Sequence, residues 1–309
     1  RAEMGRFIIN RVLISLPVLI GVALVLFLLL NVVPGDPVTV MMGEHIKPNL
    51  IEAFRARMHL DDPVLVRFGR YIVGTLRGDF GISYKLNREV SSLIAQSFPH
   101  TIKLSVYAAI VAWLIGIPAG LLSAVKQNTL TDRFFMGFSL VGVSLPVFWA
   151  GLLMQFVFAY KLRWLPVNGY YSFKYYIMPA IVLGWSSAGT VARLTRSNLL
   201  EIMKNDFIRT ARAKGLAESA VVMGHALKNA MLPVVTIMAM QVAGLLGGAV
   251  MTESIFGIPG LGRIAVSAIA ARDMPLLQGT ILFSTALVIA GNLIADLMYG
   301  FLDPRIRVE

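Results

Sequence analysis

Residues 12–33 read VLISLPVLIGVALVLFLLLNVV, and this apolar run decides the class of fold. A helix needs about 20 apolar residues to cross the hydrocarbon core of a bilayer. The run carries no charge, follows Arg6 and Arg11, and exceeds the apolar region of a cleavable signal peptide, which is about 7–15 residues long. It therefore predicts a retained transmembrane helix, with Met4 as the expected start of the natural chain.

Five further apolar runs predict an all-α integral membrane protein with about six transmembrane helices. They are Thr101–Val125, Phe134–Tyr160, Ile177–Leu194, Leu232–Phe256 and Pro275–Tyr299. The composition agrees, because 57% of the residues are hydrophobic and 15% are charged, whereas about a quarter are charged in soluble domains.

Basic residues in the short loops predict the orientation. With both termini inside the cell, the inside segments are 1–11, 126–133, 193–230 and 300–309, and the short outside loops are 161–176 and 257–274. The inside segments hold 14 Lys and Arg residues and the outside loops hold 5. Because cytoplasmic loops are enriched in Lys and Arg, we predict N-in and C-in. The net charge of +11 then needs no nucleic-acid partner.

Three units are predicted along the chain. Residues 1–33 hold the N-terminus and the first span, residues 34–98 form a small extracytoplasmic domain, and residues 99–309 form the transmembrane core with a cytoplasmic loop at 197–232. The second unit mixes acidic and basic residues, has turn signals, and shows helical periodicity over Leu50–Met58.

Motifs for catalysis and cofactor binding are absent from the sequence. It has no cysteine, its four histidines are far apart, and it lacks the G-x-x-x-x-G-K-[ST] phosphate loop. We therefore expect no catalytic residue, no metal and no cofactor in this chain. An intramembrane enzyme would need a nucleophile–base pair or metal ligands in the spans, and the sequence supplies neither.

Polar side chains within the apolar runs are the candidates for lining a pathway. They are Gln155, Gln241, Asn292 and Asp296. An ionisable residue in a span is a functional candidate, and Asn292 lies one turn before Asp296 on the same face. In a second interpretation Asp296 lies near the cytoplasmic end, where it is hydrated or paired with a basic residue.

Two stretches carry the GxxxG spacing that permits close helix approach in membranes. They are Gly116–Gly120 and Gly244–Gly248. Packing within the chain and packing between subunits are both open interpretations.

The most informative stretch runs from Asn205 to Pro233 in the predicted cytoplasmic loop. Asn205 can cap a helix that Gly215 ends, and a second short helix then leads to Pro233, which begins the next span. Two short helices joined at a glycine would form a knob for a cytoplasmic partner. The alternative interpretation is a basic hairpin that contacts only anionic membrane lipid.

This stretch resembles the cytoplasmic loop of dipeptide/oligopeptide-type ABC importer permeases. The resemblance rests on RTARAKG at 209–215 and HALKNAMLP at 225–233. It extends over nearly the whole chain through PGDP at 34–37, GDFGIS at 78–83, TESIF at 252–256, PGLG at 259–262 and DPRIR at 303–307. The long outer region is typical of the first of the two permeases in such systems.

The resemblance implies a permease subunit that carries peptides across a prokaryotic cell membrane in an ATP-driven importer. The implied partners are a second homologous permease, two cytoplasmic ATPases that hold ATP and Mg, and an extracytoplasmic substrate-binding protein. The implied ATPase-coupling residues are Arg209, Thr210, Ala211, Arg212, Ala213, Lys214, Gly215 and Leu216. Similar importers carry nickel chelates or sugars, and a self-sufficient secondary transporter is the alternative outside the family.

Overall fold

A computed structural model provides the structure and describes residues 2–32 and 61–302. In chain order its α-helices are α1 Ala2–Val32, α2 Val64–Leu76, α3 Val90–Val125, α4 Leu130–Ser144, α5 Val147–Met154, α6 Lys174–Ile202, α7 Asp206–Ala213, α8 Glu218–Ala220, α9 Lys228–Leu246, α10 Val250–Ile255, α11 Leu261–Ala270 and α12 Met274–Leu302. Two π-helical segments, Gln155–Lys161 and Val221–Leu227, extend α5 and join α8 to α9. The predicted all-α class is confirmed for the described residues.

Four helical segments of the described chain are long and apolar enough to cross a membrane. They are α3, α6, Glu218–Leu246 and Met274–Leu297. A fifth is formed if α4 and Val147–Lys161, which meet at a bend of 103°, count as one broken span. The described apolar part of α1 is the shorter stretch Leu13–Leu29. The count of six spans and the N-in, C-in orientation therefore stay predictions.

The predicted span at 134–160 is broken in the structure. Leu145 has an extended backbone, with ψ at 129°, and α4 ends before it. Steric contact with the proline ring disfavours the helical conformation for a residue that precedes proline. Pro146 thus separates two helices that hydropathy alone joins into one.

The predicted span at 232–256 has different bounds. Its helix starts at Glu218 and ends at Leu246, so Pro233 lies inside α9 rather than at its beginning. Gly248 then has a φ of +108°, a conformation that residues other than glycine rarely adopt. The last part of the apolar run becomes the separate short helix α10.

The close packing of α3 against α6 requires small residues. A Cβ atom at Gly116 would lie 2.8 Å from the carbonyl oxygen of Ala188 and 2.8 Å from Cβ of Val191. Gly120 approaches Ala192 and Thr195 of α6 in the same way. The first GxxxG spacing therefore serves packing within the chain.

α1 lies against α12 along the bundle. The side-chain amide of Gln278 donates to the carbonyl oxygen of Leu26 at 2.9 Å, and Ala23, Leu26 and Leu282 are buried together. α2 packs on the same part of α1, with the Phe27 ring 5.3 Å from the Phe68 ring. Residues 34–60, with the PGDP motif and the helical periodicity predicted over Leu50–Met58, lie outside the described residues, as does DPRIR at 303–307.

The GDFGIS motif attaches the region before α3 to the turn between α11 and α12. The Ser83 hydroxyl donates to the carboxylate of Asp273, which is buried. The backbone N–H groups of Tyr84 and Lys85 donate to the same carboxylate at 3.1 and 3.2 Å. A single acidic side chain thus closes the loop that follows the motif.

The TESIF and PGLG motifs meet at a second buried carboxylate, that of Glu253. It accepts hydrogen bonds from the Thr101 hydroxyl at 2.8 Å and the Arg263 N–H at 3.0 Å. The Leu261 N–H donates to the Thr101 hydroxyl at 2.8 Å. Glu253 therefore satisfies the free N–H groups at the start of α11 and ties that helix to α3. Gly260 is needed because a Cβ atom there would overlap the carboxylate.

Replacing Glu253 with alanine is expected to lower the free energy of unfolding by about 3 kcal/mol, because buried donors lose their acceptor. Denaturant unfolding in detergent measures the loss. The neighbouring Ser254 is exposed, so Ser254→Ala is the matched control. Equal unfolding midpoints for the two variants would contradict the assigned role of Glu253.

Candidate coupling site

The predicted coupling helix is present as α7. Asn205 precedes it with an extended backbone, with ψ at 151°, and Asp206 places a negative charge in its first turn. Both features are typical of helix starts. Gly215 has a φ of +77° and donates its N–H to the carbonyl oxygen of Arg212 at 2.9 Å. The glycine therefore ends the helical segment, as its position in the sequence predicts.

One face of α7 packs against the core of the helical bundle. Ile208 has no exposed surface and Ala211 is 6% exposed. They belong to a buried cluster with Ala124, Leu199, Val221, Ala226 and Ala230. Its members come from α3, α6, α7, the second π-helical segment and α9, so α7 packs against three long helices. Ala211 thus contacts the rest of the chain rather than presenting a surface.

The other predicted coupling residues are exposed. These are Arg209, Thr210, Arg212, Ala213, Lys214, Gly215 and Leu216. Phe207, which our sequence analysis did not select, is 43% exposed, close to the 42% of Leu216. Two exposed apolar side chains at either end of the same short basic segment make it a candidate contact surface. We call Phe207, Arg209, Thr210, Lys214, Gly215 and Leu216 the coupling surface.

An ion pair bridges the glycine turn beside this surface. The Arg212 guanidinium donates to both carboxylate oxygens of Glu218, at 2.6 and 3.0 Å. The hydrogen bond to Glu218 raises the pKa of Arg212. Arg209 lies 3.6 Å from Asp206 instead, so the two arginines engage different acids. Arg212 therefore fixes α7 relative to α8, and Arg209 remains on the outer surface.

The four pathway candidates contact different elements. The Gln155 amide donates to the carbonyl oxygens of Val167 and Ile255, both at 3.1 Å, and so connects the loop after α5 to the end of α10. Gln241 of α9 donates to the carbonyl oxygen of Ser187 in α6 at 3.2 Å, and its own side-chain oxygen is buried without a partner. Among the four candidates, Gln241 is thus the one whose buried side-chain oxygen could accept a hydrogen bond from a further group.

The other two candidates lie on α12. Asp296 is 3.4 Å from the guanidinium of Arg11 in α1, which matches the paired interpretation of this carboxylate. Asn292 is exposed. In the described part of the chain, no three His, Cys, Asp or Glu side chains gather into a group that could hold a metal ion. The role of all four as pathway residues stays a prediction.

A buried ion pair near the start of α4 was missed by the sequence analysis. Asp132 accepts hydrogen bonds from the Arg196 guanidinium at 2.9 and 2.8 Å, from the Ser123 hydroxyl, and from the Asn128 N–H at 2.9 Å. It joins α3, α4 and α6. The two charged residues are 64 positions apart, so no local pattern connects them.

Several long apolar helices with a short surface helix packed against them define the class of protein, a multi-pass membrane protein. The comparisons with known proteins agree. Residues 116–308 match the family described as binding-protein-dependent transport system inner membrane component, and residues 4–105 match its N-terminal region. The chain belongs to this family of inner-membrane transport components.

Two relatives cover nearly the whole chain. The dipeptide transport system permease protein DppB of Alkalihalophilus pseudofirmus is 38% identical over 98% of this chain and 100% of its own length. The glutathione transport system permease protein GsiC of Salmonella paratyphi A is 40% identical over 99% of this chain and 100% of its own length. The resemblance drawn from the cytoplasmic loop and the outer motifs is confirmed.

Solved structures agree on the fold. An inward-facing structure of the MetNI methionine ABC transporter superimposes with a TM-score of 0.59 and 18% identity, covering 68% of this chain and 96% of that chain. An amino acid ABC transporter has a TM-score of 0.53 and 14% identity, covering 70% of this chain and 94% of that chain. The helical core is therefore that of ABC transporter membrane components.

Proposed function

We propose that this chain is a permease subunit of an ATP-driven peptide importer and that the coupling surface receives a cytoplasmic ATPase. The observation that supports this proposal is the packing of α7. Ile208 and Ala211 are buried against the helical core, and the basic and apolar side chains of the coupling surface are exposed. Family membership supports the transport role. The dipeptide and glutathione permeases among its relatives support a peptide substrate.

The full complex in this proposal contains a second homologous permease, two ATPases with ATP and Mg, and an external substrate-binding protein. This chain forms half of the substrate pathway. Membership of a binding-protein-dependent family disfavours the self-sufficient secondary transporter, which needs neither ATPases nor a binding protein. The basic residues of the coupling surface suit an acidic or polar groove on the ATPase.

The mechanism follows from how α7 is held. A ligand shifts a two-state equilibrium only through contacts that differ between the states. Closure of the ATPases would move the coupling surface, and the buried side chain of Ile208 would carry that movement to α3, α6 and α9. The Arg212–Glu218 pair makes α7 and the following turn move as one body, because it bridges the flexible glycine.

Reconstitution tests the proposal. The chain is purified from its native membranes, its stoichiometric partners are identified by mass spectrometry, and the complex is placed in liposomes with a labelled dipeptide. We expect uptake that requires ATP and the binding protein. Uptake by the isolated chain driven by a gradient alone would contradict the proposal.

Ile208→Ala is expected to uncouple hydrolysis from transport. The substitution removes buried methyl and methylene groups and costs about 2–4 kcal/mol at this site. The coupling surface itself is unchanged, so we expect ATPase binding and hydrolysis to persist while uptake per ATP falls several-fold. Ile269 of α11 is 59% exposed, so Ile269→Ala serves as the control. Unchanged uptake per ATP in Ile208→Ala would exclude transmission through this side chain.

A further inference from the structure

The loop that joins α5 to α6 presents an unusual number of exposed aromatic rings. Tyr160 is 72% exposed, Trp164 68%, Tyr171 78% and Phe173 62%. Contiguous exposed apolar patches mark sites of contact with a protein or a membrane. Together they form a patch that we call the aromatic loop, residues 160–174.

The rings are held in place despite their exposure. The Trp164 and Leu165 N–H groups donate to the carbonyl oxygen of Phe158 at 2.9 and 3.3 Å, which folds the loop back on the π-helical segment. The Trp164 ring lies 6.1 Å from the Phe158 ring. Tyr171 stacks on Tyr170 at 4.6 Å. A fixed, exposed set of rings is suited to contact something outside this chain.

The charges of the loop have one sign. Lys161, Arg163 and Lys174 are its charged residues, and no Asp or Glu occurs between residues 155 and 176. The Lys161 amine lies 5.2 Å from the centre of the Phe156 ring, at the end of the apolar helix. This is a cation–π contact, in which the ammonium group lies over the face of an aromatic ring.

The patch is continuous with an apolar helix surface. Phe148, Trp149, Leu152 and Phe156 precede it on α5 and the π-helical segment, and all are 46–52% exposed. Exposed apolar side chains of a membrane component face lipid or a partner subunit. Trp and Tyr concentrate where the hydrocarbon meets the headgroups, and Lys and Arg there attract anionic headgroups.

We propose that the aromatic loop is a membrane-interface anchor that binds anionic phospholipid headgroups through Lys161 and Arg163. The rings set the depth of this end of the bundle and the two cations select the lipid. The loop combines exposed aromatic rings with cations at the end of an apolar helix surface, and this is the composition found where a bilayer's hydrocarbon meets its headgroups.

Fluorescence quenching of Trp164 tests the proposal in the full-length chain with Trp113, Trp149 and Trp185 changed to Phe. The chain is placed in phosphatidylcholine vesicles that contain phosphatidylglycerol. We expect lipids brominated near the headgroup to quench Trp164 more than lipids brominated at the chain end. We also expect brominated phosphatidylglycerol to quench more than brominated phosphatidylcholine at equal mole fraction.

Lys161→Gln with Arg163→Gln is expected to lower the preference for phosphatidylglycerol by about fivefold for each charge removed. The matched control is Lys126→Gln with Arg133→Gln, in the loop before α4 and at its first turn, where both residues are also exposed. Co-purified phosphatidylglycerol, measured by mass spectrometry on chains that keep all four tryptophans, gives an independent readout. The control is expected to leave the lipid preference of Trp164 quenching near the unsubstituted value, because its two charges are far from Trp164 in the chain.

Two outcomes would overturn the proposal. One is equal quenching of Trp164 by brominated phosphatidylglycerol and brominated phosphatidylcholine, with no change in the Lys161→Gln, Arg163→Gln variant. The other is quenching of Trp164 by aqueous iodide but not by brominated lipids, together with protection from iodide when the external binding protein is added. That result would assign the loop to the binding protein.

Discussion

Asp132→Ala is expected to cause one of the largest losses of stability among the substitutions considered. Asp132 is buried, and removing it leaves the Arg196 guanidinium, whose side chain is only 26% exposed, without its partner. Breaking a buried pair from one side costs about 3–5 kcal/mol. Because part of Arg196 reaches solvent, we expect the loss in free energy of unfolding to lie at the lower end of that range, about 3 kcal/mol. Denaturant unfolding in detergent measures it.

The control for this prediction separates the unpaired charge from the lost contacts. The double variant Asp132→Ala with Arg196→Met removes both charges, so it is expected to lose less stability than Asp132→Ala alone. Asp206→Ala removes an exposed carboxylate and is expected to change stability little. A double variant that is at least as unstable as the single one would show that the pair does not act through charge compensation.

The second large effect is expected at the coupling surface. Phe207→Asp with Leu216→Asp replaces two exposed apolar side chains by carboxylates, so the fold is expected to stay intact. If the ATPase covers these side chains, the loss is that of an interface hot spot, at least about 2 kcal/mol or roughly 30-fold in association. Co-purification of the ATPase and uptake of labelled dipeptide are expected to fall together.

Leu65→Asp is the matched control for the coupling variant. Leu65 is 83% exposed on α2, in the predicted extracytoplasmic region, so the same chemical change occurs away from the ATPase. Full ATPase association and normal uptake in the Phe207→Asp, Leu216→Asp variant would remove the coupling role from this surface. In that event the basic hairpin that contacts only lipid becomes the preferred interpretation.

The local features of this protein could be predicted because they depend on neighbouring residues. Apolar runs of membrane-spanning length predict helices wherever they occur, since a backbone in lipid must satisfy its own hydrogen bonds. Gly215 ends α7 as predicted, because the conformation at a helix end depends on the residue itself. The motifs of the cytoplasmic and outer loops were sufficient to indicate the family.

The bounds of the helices were less predictable, although their causes are local. Hydropathy averages over a window, so it joined α4 to α5 across Leu145-Pro146 and extended the next-to-last span across Gly248. Proline and glycine decide those breaks through backbone conformation rather than hydrophobicity.

Sequence alone determined the membrane class, the place of the surface helix and the outer motifs that mark the family. Tertiary structure alone decided which polar residues hold the fold: Asp132 with Arg196, Glu253 with Thr101, and Asp273 with Ser83. The physical reason is that a buried charge is tolerated only next to its partner, and these partners lie far apart in the chain. Hydropathy shows where a helix forms, whereas only its neighbours in space show what a buried carboxylate binds.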